Sequence, residues 1–131
     1  MEENFNIEII KPEKIIFSNK IKIATIPSFE GNMSILKDHI SIITFLRPGI
    51  IKVEKNDGSL ENFFVEDGTV EFFNNTLIIL SSSAENTKGL TKNFLDNLNK
   101  ITHDRLANKE ISDQDRYTLN HKLDTIKEIS I

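Results

Sequence analysis

Residues 48–80, PGIIKVEKNDGSLENFFVEDGTVEFFNNTLIIL, decide the fold. Short apolar runs alternate with turn chemistry throughout. Pro48-Gly49 predicts a type II turn, with Pro fixing φ at the first central position and Gly supplying positive φ at the second. Residues 50–55 return as a strand. Asn56-Asp57-Gly58 predicts a hairpin, because the primed turns need positive φ. Residues 60–65 pair back, Asp67-Gly68 turns, and 69–73 follow. Asn74-Asn75 predicts a further tight turn, since Asn tolerates the left-handed region, and 77–80 complete the run.

The same grammar extends towards the N-terminus. In NFNIEII (4–10), Phe5, Ile7 and Ile9 alternate with Asn6 and Glu8, the pattern of a half-buried strand. Pro12 removes a backbone donor and ends it or marks a sheet edge. An extended stretch at 15–17, a turn at Ser18-Asn19 and a strand over 21–26 are expected next. Residues 26–43, IPSFEGNMSILKDHISII, then hold a polar middle with Glu30 and Asp38, a turn at Gly31-Asn32 and one very short strand within 33–36. Connections of this kind often carry function, because the sheets hold them still while their tips meet partners. Residues 40–46 read as a strand buried on both faces. Eight or nine short strands at close spacing predict an all-β sandwich or flattened barrel over residues 1–84.

Composition changes at Ser81-Ser82-Ser83, which reads as a linker, and the apolar period becomes helical. Phe94, Leu98 and Ile101 fall at i, i+4, i+7, beside Leu95 and Leu106, with Thr91 as N-cap. Ser112-Asp113-Gln114-Asp115 restarts the pattern, and Leu119, Leu123, Ile126 and Ile129 continue it. The expected fold is therefore mostly β with an α appendage. An N-terminal β-sandwich is followed by a C-terminal antiparallel two-helix hairpin over 88–131, turning near 108–112. Each helix has one narrow apolar stripe, so the hairpin must borrow stability from the sandwich or another protein. Movable and permanently docked hairpins both satisfy that requirement.

The length of 131 residues suits one domain with an appendage. There is no cysteine, so thiolate sites and disulfides are excluded. No apolar run approaches the roughly 18 residues of a membrane span. The N-terminus carries acids where a signal peptide would be basic. The net charge of −4 divides into −5 over residues 1–87 (8 Lys/Arg, 13 Asp/Glu) and +1 over 88–131 (8 and 7). That leaves no basic face for nucleic acid.

Candidate chemistry is sparse. Of His39, His103 and His121, only His121 has a nearby acid at helical spacing, Asp124, and no third metal ligand is evident. The five glycines are scattered rather than forming a phosphate loop, and there is no nucleophile elbow. Glu66-Asp67 sits at a turn and reads as solvent-facing. No metal and no cofactor are expected. On residue chemistry alone the chain is a non-catalytic binding module, and a sandwich that binds a small ligand stays open as an alternative.

Four segments resemble the epsilon subunit of F-type ATP synthase. IEIIKPEKIIFS (7–18) is similar to that family's opening strand and turn. PSFEGNMSIL (27–36) resembles its Pro-Gly-x-Glu-Gly-x-x-Gly-x-Leu segment. DHISIITFLRPGIIKV (38–53) resembles Gly-His-Ala-Pro-Leu with the apolar run and Pro-Gly beyond it. ENFFVEDGTVEFFNNTLIILSSSA (61–84) resembles the stretch that closes the sandwich. The resemblance implies a central-stalk subunit that does no chemistry. It would link the gamma subunit to the membrane ring of c subunits and couple proton movement to ATP synthesis.

By that resemblance Glu30 and Gly31 lie in the loop that meets the c ring, and His39 lies near gamma and the ring. The implied location is the cytoplasmic face of a bacterial plasma (inner) membrane, reached only through the complex. In many relatives the hairpin extends into the catalytic head and blocks hydrolysis, so a mainly inhibitory subunit is the second reading. Some relatives bind ATP through Ile/Leu-Asp-x-x-Arg-Ala. Here Leu95-Asp96 is kept, but Asn99 and Lys100 replace Arg-Ala. An amide cannot reproduce the planar donors of a guanidinium, so ATP binding is expected to be weak or absent. A micromolar affinity by titration would contradict this. Ser28 and Ser34 stand at family glycines, Lys37-Asp38 at Pro-Gly, and Ser41 at a proline.

Overall fold

The computed structural model describes residues 3–130. Met1, Glu2 and Ile131, at the outer ends of the two expected units, lie outside the described residues. The strands are β1 (Phe5–Ile10), β2 (Ile15–Ser28), β3 (Gly31–Ile35), β4 (Ile42–Leu46), β5 (Gly49–Lys55), β6 (Leu60–Val65), β7 (Gly68–Phe73), β8 (Thr76–Leu80) and β9 (Glu85–Asn86). A 3-10 turn at Thr87–Gly89 leads to helices α1 (Lys92–Leu106) and α2 (Asp113–Ser130).

The strand order is β1-β8-β7-β4-β2-β5-β6-β9, with β3 added to β2 and β1 also paired to β2. The long β2 therefore closes the structure. Its first half pairs with β1, and its second half with β5 and β3. A single core of Phe5, Ile7, Ile9, Ile21, Ile51, Val53, Phe63, Val65, Phe72, Leu77, Ile79 and their neighbours fills the space between the layers. Their alternation along each strand follows from the pleat, which sends successive side chains to opposite faces.

Several local expectations need correction. Ser18-Asn19 does not turn: Ser18 pairs with Glu8 and Asn19 with Ile7 inside β2. β1 offers a complete edge there, and ladder hydrogen bonds outweigh a weak turn preference. The turn after β2 is at Phe29-Glu30, with Gly31 and Asn32 already in β3. Residues 40–46 are not buried on both faces: Leu46 is buried, while Ile40, Ile43 and Phe45 are exposed by 76 %, 79 % and 60 %.

Gly49 does not have positive φ. It is needed for contact, since a Cβ there would sit 2.4 Å from Pro27 Cβ. At 56–58 only Gly58 has positive φ, +85°. Its amide donates to Lys55 O at 2.9 Å, and the Lys55 amide donates to Ser59 O at 2.8 Å. That is a type I turn closed by a bulge, not a primed turn. The primed turn is at Asn74 and Asn75, with φ of +52° and +56°.

The serine segment is packed into the sandwich. Ser81 Oγ donates to Asp67 O at 2.7 Å, Ser83 Oγ accepts from the Glu66 amide at 2.9 Å, and Ala84 is buried. β9 then pairs with β6.

Thr91 caps α1 by accepting from the Phe94 amide, and Ser112 caps α2 by accepting from the Asp115 amide. The buried stripe of α1 is rotated by one position from expectation. Leu95 and Thr102 are buried, while Phe94 and Ile101 are exposed. Thr102 enters the stripe because its hydroxyl donates back to Leu98 O at 2.7 Å; Thr125 does the same to His121 O. α1 packs on α2, and α2 lies on β5. Phe64 faces away from the core with its cross-strand partner Ile50, yet it is fully buried, because that outer face is the one α2 covers.

Candidate functional site

Glu30 and Gly31 lie at one end of the sandwich and His39 at the other. β4 separates them. Its Leu46 pairs with Ser28 and Gly68 beside the Phe29-Glu30 turn, and its Ile42 pairs with Phe72 beside Asn74-Asn75. A five-residue strand spans about 13 Å at the usual rise per residue. The structure thus brings Glu30 and Gly31 together and leaves His39 apart.

At the Glu30 end, the turn is built by its own backbone. The Phe29 amide donates to Phe45 O at 3.1 Å, and the Glu30 amide donates to the buried Ser28 Oγ at 3.2 Å. Gly31 has φ of +130°, which explains a glycine there. Glu30 is exposed. Phe29, Glu30, Phe45, Leu46 and Asp67 line a shallow cavity of about 430 Å³, joined by Gln114 from α2. Apolar floor and acidic rim suit a protein partner with a polar, cationic loop better than a small ligand.

At the His39 end, Asp38 occupies the family's glycine position and adopts φ of +65°. Asn75 supports it: the Asp38 amide donates to Asn75 Oδ1 at 2.7 Å, and Asn75 Nδ2 donates to Asp38 Oδ1 at 2.9 Å. Asp and Asn visit this region more readily than other side chains. His39 packs edge-on to Phe72, with ring centroids 5.9 Å apart, and its Nδ1 lies 2.8 Å from Ile40 O.

Between the two ends runs an uncovered apolar face. Ile43 of β4 and Phe73 of β7 are exposed by 79 % and 65 %, Phe45 by 60 % and Leu80 of β8 by 49 %. Ile43 pairs with Glu71, and Phe45 with Thr69. These exposed apolar groups share one face of the sheet with Glu71, a larger apolar patch than isolated surface residues make.

On the hairpin, Leu95 is buried and Asp96 is exposed. The first belongs to the packing stripe and the second faces solvent. One residue that the sequence alone did not single out is Tyr117, the chain's only tyrosine. Its hydroxyl donates to Phe29 O at 2.8 Å, and its ring stacks on Phe29 with centroids 6.0 Å apart. A lone tyrosine in a helical stripe gave no signal of a contact 88 residues away. Among the described residues, no three His, Cys, Asp or Glu side chains gather as a metal site, and no helix is long and apolar enough to cross a membrane.

The beta-sandwich domain of the ATP synthase delta/epsilon chain matches residues 4–87. A chain described as ATP synthase epsilon chain from Pelagibacter ubique is 44 % identical over 131 residues, covering 99 % of this chain and 100 % of that one. Another so described, from Parvibaculum lavamentivorans, is 30 % identical over 129 residues, covering 98 % and 97 %. Among solved structures, a chain of the Euglena gracilis mitochondrial ATP synthase (OSCP/F1/c-ring) aligns with a TM-score of 0.76 at 16 % identity, covering 99 % of this chain and 81 % of that one. A chain of the Tetrahymena thermophila mitochondrial ATP synthase central stalk and c ring aligns with a TM-score of 0.59 at 15 % identity, covering 95 % and 92 %. These two establish likeness of fold.

Proposed function

The chain belongs to the ATP synthase epsilon family, and from that premise we propose that it is a non-catalytic rotor subunit that joins gamma to the c ring. The observation that carries this is the bare face of β4 and β7. Ile43, Phe45 and Phe73 expose large apolar side chains that the chain's own helices leave uncovered. Burying them against gamma removes apolar surface from water at about 25 cal/mol per Å². The exposed Phe29-Glu30 turn, at the end of that face, is the proposed contact with the c ring, and His39 borders the gamma contact at the other end. The subunit would sit at the cytoplasmic face of a bacterial plasma membrane, held there by its partners.

The test is co-expression with the gamma subunit of the same source, followed by size-exclusion chromatography. A stable one-to-one complex supports the assignment. Separate elution of two folded proteins rejects it and reopens the small-ligand alternative.

The second reading, inhibition by the hairpin, draws on one observation: the hairpin meets the sandwich through α2, while α1 packs on α2. Such an attachment can be released as a unit. We propose that residues 88–131 form this regulatory unit and that its inhibition is weak. Deleting them should leave ATP hydrolysis by the assembled enzyme nearly unchanged, and a large rise would show that inhibition is the main role.

A further inference from the structure

Tyr117 spans the two parts of the molecule at a specific place. Its partner is the carbonyl of Phe29, in the turn that also carries Glu30. Its ring stacks on Phe29 and lies 4.3 Å from the His121 ring on its own helix. Gln114, one turn earlier, lines the same cavity as Glu30, Phe45 and Asp67. A second anchor, Lys122 to Glu66 at 2.5 Å, fixes the helix to the loop before β7. The N-terminal half of α2 thus forms one wall of the sandwich end, rather than lying only across β5.

We propose that Tyr117 is a latch coupling the seat of the helical hairpin to the shape of the Phe29-Glu30 turn. The turn has few supports of its own: the Phe29 amide bonds to Phe45 and the Glu30 amide to Ser28. The Phe29 carbonyl is held by Tyr117. A docked hairpin therefore restrains the turn. By thermodynamic reciprocity, a partner that binds the turn in this shape strengthens docking, and one that pulls the Phe29 carbonyl away releases α2. That the partner is the c ring rests on the rotor assignment; the latch itself lies within this chain.

The experiment is amide hydrogen exchange by NMR on the full chain, with no partner present, so it stands or falls independently of that assignment. Tyr117→Phe removes the hydroxyl and keeps the ring. The expected result is exchange about fivefold faster at Glu30, Gly31 and the first two turns of α2, the equivalent of one net hydrogen bond. Amides between β1 and β8 should keep their rates. Phe29→Ala, which removes the stack and keeps the carbonyl, should loosen the same two segments. Faster exchange in α2 alone, with Glu30 and Gly31 unchanged, would overturn the proposal, because Tyr117 would then only seat the helix. Unchanged rates in both segments would overturn it too.

Discussion

The two outer faces of the sandwich carry similar apolar cargo and meet different fates. On β5 and β6, Ile50 and Phe64 point outward, and α2 covers them until Phe64 is 1 % exposed. On β4 and β7, Ile43, Phe45 and Phe73 point outward, and nothing among the described residues covers them. Both faces depart from the usual apolar-in, polar-out alternation of a one-sided sheet. The difference separates stability from association. One face is completed by folding; the other stays bare in the folded chain and, on the proposed function, is completed by assembly.

The largest expected effect breaks the covered face. Phe64→Ala leaves a cavity beneath α2 and should lower unfolding free energy by about 3 kcal/mol in a urea titration. The matching change on the bare face is Ile43→Thr with Phe45→Thr. Threonine keeps strand propensity, so stability should move by less than about 0.5 kcal/mol per site. Affinity for gamma, measured by calorimetry, should fall about 100-fold, as expected for central apolar anchors. If instead stability collapses and affinity is unchanged, the two faces have been assigned the wrong way round.

A smaller effect concerns the fastening of the covered face. Lys122→Ala removes the half-buried ion pair with Glu66, and should cost about 1 kcal/mol by thermal unfolding, with little salt dependence. The pair of Lys52 and Glu128, 3.7 Å apart and half exposed on both sides, should contribute less under the same test.

The smallest effect lies at the far tip of the covered sheet. Asp57 accepts from the Ser59 hydroxyl and the Ser59 amide, which hold its carboxyl below the ordinary carboxylate value. A depressed folded pKa stabilises the fold above the unfolded pKa and is lost as pH falls through the folded one. The stability difference between wild type and Asp57→Asn should therefore be present at neutral pH and vanish under acid. A difference that grows on acidification would contradict the sign.

Much of this architecture was legible in the sequence because it is written in periodicity. Alternation placed β1, turn chemistry between short apolar runs placed β5, β7 and β8, and the change of period placed both helices with the Thr91 cap. What could not be read depended on partners distant in sequence. Ser18-Asn19 stays extended only because β1 lies alongside. Gly49 is required by Pro27, which approaches from another strand. The rotated stripe of α1 depends on Thr102 returning its hydroxyl to Leu98, which lets a polar residue pass as apolar. At the candidate site, the family pattern pointed to the turn at Glu30. Neither pattern nor composition could reveal that Asn75 supports Asp38, or that Tyr117 holds Phe29.

The pairing of β1 with β8 has a consequence for biosynthesis. These strands run parallel, Asn6 beside Thr76, so β1 waits for β8, about 70 residues later in the chain, before the barrel can close. During translation the emerging sandwich must stay open until β8 has left the ribosome, with the β1 edge paired to β2 alone. The helical hairpin, synthesised afterwards, then arrives at a seat that is already complete.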